Sequence, residues 1–272
     1  MRVWIISKRT LIIAAAILVV VAAAVLLVAL WPAEDNLAKA TGSSAVVEMY
    51  ELDVPAGRQR QVPVYSVQRE DKKIALTIDA AWEDDKTPFI LEELDRQGIK
   101  ATFYLCGFWA EKYPDNVKAI AAAGHEIGNH TATHPHMNSL SADQIKKELN
   151  SFDDLLESII GVRSKTFRAP FGEYNDQVIN TVSKMGYTVV QWSIDTVDWR
   201  EERSAQTILD TVLPHLAPGC IILCHNNGFK IKEYLPTLIT TAKEQGYEFV
   251  PVSELLLESP TIIDVNGVQK PA

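Results

Sequence analysis

Cysteine and positive charge are both scarce in this 272-residue chain. Cys106, Cys220 and Cys224 form an odd set, and an extended strand would hold Cys220 and Cys224 about 13 Å apart, beyond disulfide reach. A disulfide framework is therefore not expected, and the three thiols read as small buried hydrophobes. Twenty-six Lys and Arg face 35 Asp and Glu, a formal net charge of -9. That balance argues against nucleic acid as a partner and is sufficiently explained by a solvated acidic surface. No internal repeat is present.

Long hydrophobic runs are also absent, with one exception. Leu11 to Leu30 reads LIIAAAILVVVAAAVLLVAL, twenty apolar residues without a charge, the length an α-helix needs to cross a bilayer core of about 30 Å. Being apolar all round, it lacks the polar face of a helix lying on a globular core. Lys8 and Arg9 precede it and Glu34 and Asp35 follow, so the N-terminus is expected in the cytoplasm and the rest outside, as a single-pass protein of the cell membrane. The rival is a cleaved signal peptide, because Ala38-Lys39-Ala40 has the small-x-small look of a processing site. Those alanines lie well beyond the run, and the run exceeds a usual signal core. No cysteine directly follows it to accept a lipid.

Four regions follow: residues 1–31, a cytoplasmic stub and transmembrane anchor; 32–69, a linker with short strands such as Val46 to Met49; 70–258, one globular domain; and 259–272, a C-terminal tail. Within the domain, apolar strips at 74–79, 101–105, 125–129, 166–169, 188–194, 220–225 and 249–252 alternate with amphipathic stretches at 87–97, 116–123, 142–160, 177–185, 205–215 and 235–245. Ser141 with Gln144 makes a capping-box start, and glycines follow five of the helices where a left-handed cap is expected. Such alternation predicts parallel strands joined by helices, the α/β class. An open doubly wound sheet fits the pattern too. The placement of Asp79, His130, Arg168, Asp195, Asp198 and His225 at or just past strand ends favours an incomplete (β/α)7 barrel, whose mouth gathers such residues.

Each of these side chains has a chemical reading and a plain one. His130 and His134 lie four apart, so one helical turn, or a loop, could aim both at a single divalent metal; otherwise they are capping or surface histidines. His125 and His136 are not expected to be ligands. Asp79 ends an apolar strip, where a carboxylate is costly unless paired or working; it is a candidate general base or a helix N-cap. Arg168 could orient a carboxylate with its two-pronged guanidinium. His225 can serve as a general acid if Asp198 or Asp195 raises its pKa. Trp192 and Trp199 are apolar walls or ordinary core.

In order along the chain, Asp79, the His130–His134 pair, Arg168-Ala169-Pro170-Phe171-Gly172, Asp195-Thr196-Val197-Asp198-Trp199 and the strip ending in His225 resemble the five motifs of carbohydrate esterase family 4, the NodB-homology polysaccharide deacetylases. The resemblance covers about residues 72–257 and is close at Gly124 to Thr131 and Lys100 to Phe103. It implies a NodB-type barrel and hydrolysis of glycan N-acetyl groups. His130 and His134 would hold a divalent metal, zinc or similar; Asp79 would be the base and His225 the acid, tuned by Asp198. Arg168 would orient Asp79. The backbone N–H of Phe171 would meet the oxyanion, and Trp199 and Trp192 the sugar.

One position departs. The family's first motif carries a second Asp as metal ligand, and here Ala80 stands in its place. Asp84, Asp85 or a doubly employed Asp79 are the candidates for the vacancy. The variant first motif resembles an anchored, sporulation-associated branch. Two functions follow: an active deacetylase of cell-wall glycan, peptidoglycan above all, or a weak or inactive paralogue that binds glycan. The sugar type and oligomeric state are not fixed by these residues.

Overall fold

The structure is a computed structural model that describes residues 60–272. The run Leu11–Leu30, the Ala38–Ala40 site and the expected strand at 46–49 lie outside these residues. Among the described residues no helix is long and apolar enough to cross a membrane.

The elements are β1 Ser66–Val67, β2 Lys73–Ala80, α1 Thr87–Gln97, β3 Thr102–Leu105, α2 Gly107–Lys112, α3 Pro114–Ala122, β4 Glu126–Asn129, α4 Ala142–Ile160, β5 Thr166–Phe167, α5 Asp176–Lys184, β6 Thr188–Val189, β7 Ile194–Asp195, α6 Ala205–Val212, β8 Ile221–His225, α7 Ile231–Glu244, β9 Glu248–Phe249, α8 Val252–Leu255, β10 Thr261–Ile263 and β11 Val268–Pro271. Seven strands run in parallel in the order β6-β5-β4-β3-β2-β8-β7, with β9 paired to the start of β2. This is the parallel sheet with helices that the strip-and-helix alternation predicts, curled as the placement of polar residues at strand ends favours.

Strand periodicity explains why one wall of the sheet is apolar and the other carries chemistry. In β2, Ile74, Leu76, Ile78 and Ala80 join Phe103 and Leu105 of β3 and Ile222 and Cys224 of β8 in the main core, under α1 and α7. Each fully buried Leu or Ile there contributes about 1.5–3 kcal/mol. The alternate phase, Ala75, Thr77 and Asp79 in β2, Tyr104 in β3, and Ile221, Leu223 and His225 in β8, points to the inside of the curl. Ala75, Tyr104 and Ile221 meet Val250, Val252 and Leu255 at its lower end. The polar members sit higher, toward the strands' C-terminal ends.

Three expectations are corrected. The strip 188–194 is not one strand: it splits into β6 and β7, which lie at opposite edges of the sheet. Residues between them cross the opening, where Val64 pairs with Val190 through Val64 N–H to the Val189 carbonyl (2.9 Å) and Gln191 N–H to the Val64 carbonyl (2.8 Å). The strip 249–252 turns into α8, whose Val252 N–H bonds Thr102 Oγ1 at 2.8 Å and so plugs the curl from below. Helix α2 was not foreseen; six residues are too few for helical periodicity to show. Residues 259–272, expected as a tail, form the hairpin β10–β11, and β11 pairs with β1. The Ser141–Gln144 capping box is formed in both directions.

Candidate active site

Asp79 and His225 are direct partners in the β2–β8 ladder, and neighbouring strands lie about 4.8 Å apart. Both therefore enter the mouth of the curl side by side. The cleft there has a volume of about 490 Å³ and is also lined by His130, His134, Trp192, Asp195 and Trp199, among others, a size suited to a small-molecule moiety.

Asp79 is buried, and its partners are built into the sheet. Arg168, fully buried just past β5, gives Nη1 to Asp79 Oδ1 at 2.7 Å and to Thr77 Oγ1 at 2.8 Å, and Nη2 to the Gln191 carbonyl at 3.0 Å. The guanidinium carbon lies 4.2 Å from the centre of the Tyr104 ring and 5.5 Å from that of Trp192. A Cβ on Gly128 would fall 2.4 Å from the Tyr104 ring. Glycine in β4 thus makes room for Tyr104, Tyr104 fixes Arg168, and Arg168 fixes Asp79. Burial pushes the Asp79 pKa up, but the Arg168 charge, with His130 and His225, outweighs it and holds the carboxyl below its ordinary value. Asp79 is thus an ionised, oriented carboxylate.

His225 is held from the other side. Its Nδ1 lies 2.8 Å from Asp198 Oδ1, and its backbone N–H bonds Asp198 Oδ2 at 3.1 Å. Tyr234 of α7 donates to the same Oδ2 at 2.6 Å, and Asp198 is fully buried. Burial pulls the His225 pKa down; the bond and charge of Asp198, then Asp79 and Asp195, overcome it and leave the value raised. Asp195 spends its Oδ1 on Val197 N–H at 2.7 Å, and burial raises its own pKa. Asp198 is thus the partner of His225, and Asp195 shapes the turn that delivers it.

The two histidines reach the mouth through a loop rather than a helical turn. Asn129 Oδ1 accepts from Thr131 N–H, Thr131 Oγ1 accepts from His134 N–H, and Thr131 and His134 both have positive φ. His130 Nδ1 lies 2.8 Å from the Arg168 carbonyl, which leaves Nε2 facing the cleft, 3.6 Å from Asp79 Oδ2. Such an outer carbonyl is the usual orienting partner of a metal-binding imidazole. Burial lowers the pKa of both rings, that of His134 to about 4, so both are neutral and able to coordinate. His136 is exposed and paired with Glu173, and His125 accepts from Ala101 N–H.

Neither Asp84 nor Asp85 joins them. Asp84 accepts from Asn116 Nδ2 and Asp85 is exposed. Among the described residues, the one group of three possible ligand atoms within 4.8 Å of one another is Cys106, His130 and His134. Cys106, read from sequence as packing, is therefore a chemical neighbour of the pair.

Phe171 sits at the rim with φ 58°, its ring stacked on His136 and edge-on to His134. Trp199 is half exposed, Trp192 packs against Arg168, and both line the cleft. Sequence reasoning gives Trp82, Thr77, Gln191 and Tyr234 no role. Trp82 is 51% exposed at the mouth, 4.8 Å from the His134 ring, and its place directly after Asp79-Ala80-Ala81 was the available signal. Thr77 precedes Asp79 by two residues in β2 but reads as an ordinary strand residue, and Gln191 and Tyr234 come from elements distant in sequence from Asp79 and Asp198 and left no signal.

The polysaccharide deacetylase family profile matches residues 66–190. A peptidoglycan-N-acetylglucosamine deacetylase of Bacillus cereus is 36% identical over 191 residues, 69% of this chain and 69% of that protein. The Bacillus subtilis peptidoglycan-N-acetylmuramic acid deacetylase PdaA is 32% identical over 192 residues, 70% of this chain and 73% of PdaA. The crystal structure of wild-type BA3943, described as a CE4 family pseudoenzyme from Bacillus anthracis, superposes with a TM-score of 0.68 at 32% identity, covering 76% of this chain and 70% of that one. A BA3943 mutant described as having restored enzymatic activity gives the same TM-score at 33% identity. The chain belongs to the polysaccharide deacetylase family, carbohydrate esterase family 4. Its relatives include both named peptidoglycan deacetylases and a pseudoenzyme.

Proposed function

We propose that the protein is a peptidoglycan N-deacetylase, held at the outer face of the cell membrane by its N-terminal apolar run and acting on wall polymer near that surface. The observation that carries the catalytic reading is the adjacency of an ionised base, Asp79, and a histidine of raised pKa, His225, on neighbouring strands of one cleft. Such a pair performs amide hydrolysis: Asp79 takes a proton from water as it attacks the acetyl carbonyl, and His225 gives one to the departing amine. Arg168 keeps Asp79 charged and aimed, and Asp198 favours the protonated form of His225 and aims it. A divalent metal, zinc or similar, on His130 and His134 would supply polarisation of the carbonyl and the water. The neutral rings, with the His130 Nδ1 spent on a carbonyl, suit that role. Trp82, Trp192 and Trp199 line the cleft and would offer apolar faces to a sugar, and the backbone N–H of Phe171, at the same rim, would donate to the oxyanion.

A second reading, a glycan-binding protein without turnover, is favoured by Ala80, which provides no side-chain ligand. Placement outside the membrane rests on the charge asymmetry about Leu11–Leu30, and the sporulation link rests on the variant first motif. The test is acetate release from N-acetylated wall fragments by the full-length chain in detergent, with zinc, manganese or cobalt added, beside His225→Ala. Release that the variant lacks supports the enzyme; background in both under every metal overturns it. Protease protection of the folded domain in intact cells, with accessibility only after disruption, would refute the outward placement.

A further inference from the structure

We infer that Cys106 is the third protein ligand of the metal site, so that this chain replaces the missing carboxylate at position 80 with a thiolate from the adjoining strand. The inference rests on the deacetylase reading only for the presence of a divalent metal.

Thr102 and Tyr104 of β3 face the inside of the curl, and Cys106, two residues on, continues that phase just beyond the strand's end. Its height is set by two bonds: Cys106 N–H reaches the Ala80 carbonyl at 3.0 Å, and His130 N–H reaches the Leu105 carbonyl at 3.1 Å. Cys106 therefore stands between Ala80 and His130. The next two residues clamp it against the histidine loop, through Gly107 N–H to the Thr131 carbonyl (2.9 Å) and Phe108 N–H to the Ala132 carbonyl (3.1 Å). A Cβ on Gly107 would fall 2.8 Å from Ala132 Cα, so the close approach requires glycine there. The result is a sulfur grouped with one nitrogen of each histidine, all within 4.8 Å of one another.

Ligands of one tetrahedral zinc bound at 2.0–2.3 Å lie about 3.3–3.8 Å apart, so the cluster needs only side-chain adjustment to close on an ion. Cys106 Sγ now faces the His130 carbonyl at 3.3 Å. On binding, the thiol proton leaves to solvent, this contact is given up and a metal–sulfur bond forms. Imidazole nitrogen and thiolate sulfur are both ordinary zinc ligands, and three protein ligands leave the fourth tetrahedral position open. Cys220 and Cys224 are buried in the same helix-covered core as Cys106 but are not grouped with the two histidines, and serve as controls.

The full-length chain is loaded with cobalt and, separately, with zinc. Cobalt should give a thiolate charge-transfer band in the near ultraviolet, present in Cys220→Ala and absent in Cys106→Ser. X-ray absorption of the zinc form should show one sulfur at about 2.3 Å beside nitrogens at about 2.0–2.1 Å. Removing an outer partner of a ligand costs 10–100-fold in affinity, so Cys106→Ser should weaken zinc binding by roughly a hundredfold or more. The zinc measurement on the unaltered chain needs no variant and stands even if Cys106→Ser does not fold. Coordination by nitrogen and oxygen only, or failure to bind either metal, overturns the assignment. Acetate release measured on the same samples separates the two ideas: release with no sulfur in the shell sinks Cys106 and leaves the deacetylase, whereas sulfur without release does the reverse.

Discussion

Replacing Asp198 by Asn tests whether the raised pKa of His225 has a catalytic purpose. Asn is nearly the same shape, and Asp198 is fully buried between His225, Tyr234 and Gly228, so packing survives while the charge is lost. The Tyr234 hydroxyl and the His225 backbone N–H both need an acceptor at Oδ2. The amide oxygen must take that place, which turns the NH₂ toward His225 Nδ1. Nδ1 then has to accept, and the ring's single proton moves to Nε2. A neutral imidazole held in that form is a poor acid. General acid catalysis is worth 10²–10⁴-fold, and the loss of kcat should fall in that range, about 2.7–5.4 kcal/mol at 1.36 kcal/mol per decade. The pH profile adds a signed test. Activity needs protonated His225, so it is present below the folded pKa and lost as pH rises through it. In the wild type that limb lies above the ordinary 6.5; in Asp198→Asn it should move down. Stability follows the same sign: the Asp198–His225 contribution is complete below about 6.5 and fades as pH climbs through the raised value. The assay is acetate release from wall fragments across pH 5–9, with urea unfolding at both ends. Unchanged kcat and an unmoved alkaline limb would refute the assignment of His225 as the acid.

Arg168→Met leaves the buried Asp79 carboxylate without its partner, and should cost about 3–5 kcal/mol in denaturant unfolding. Because Asp79 is then governed by burial, its pKa rises and the acid limb of the rate profile moves to higher pH; no movement would show that Arg168 does not set the base. Gly228→Ala places a Cβ 2.1 Å from Asp198 Oδ2; about 1–3 kcal/mol of overpacking strain is expected, with the alkaline limb displaced as in Asp198→Asn. Trp82→Ala should raise KM several-fold, about 1 kcal/mol, with kcat nearly unchanged, as for a wall that binds sugar equally in ground and transition states. A fall in kcat alone would instead place Trp82 in support of His134.

What the sequence determined by itself is local and periodic. Apolar strips with alternating phase and helices with caps at Ser141 and Gly161 announce parallel strands joined by helices, because strand and helix periods are set by backbone geometry. Asp79, His130, Arg168 and His225 are legible as polar residues where apolar strips end, and their order along the chain carries the family. What only the tertiary structure decided depends on register between strands distant in sequence. The strip 188–194 reads as one strand because apolar residues recur through it with no Gly or Pro to break it, yet hydrogen bonding to Val64 and Arg168 divides it between the two edges of the sheet. Tyr234 reaches Asp198 from a helix 36 residues on, and no spacing rule connects them. Cys106 is the sharpest case. A buried thiol packs like a small hydrophobe, as Cys106 does in the main core, and only the heights of β2, β3 and β4 relative to one another show that it also stands beside His130 and His134.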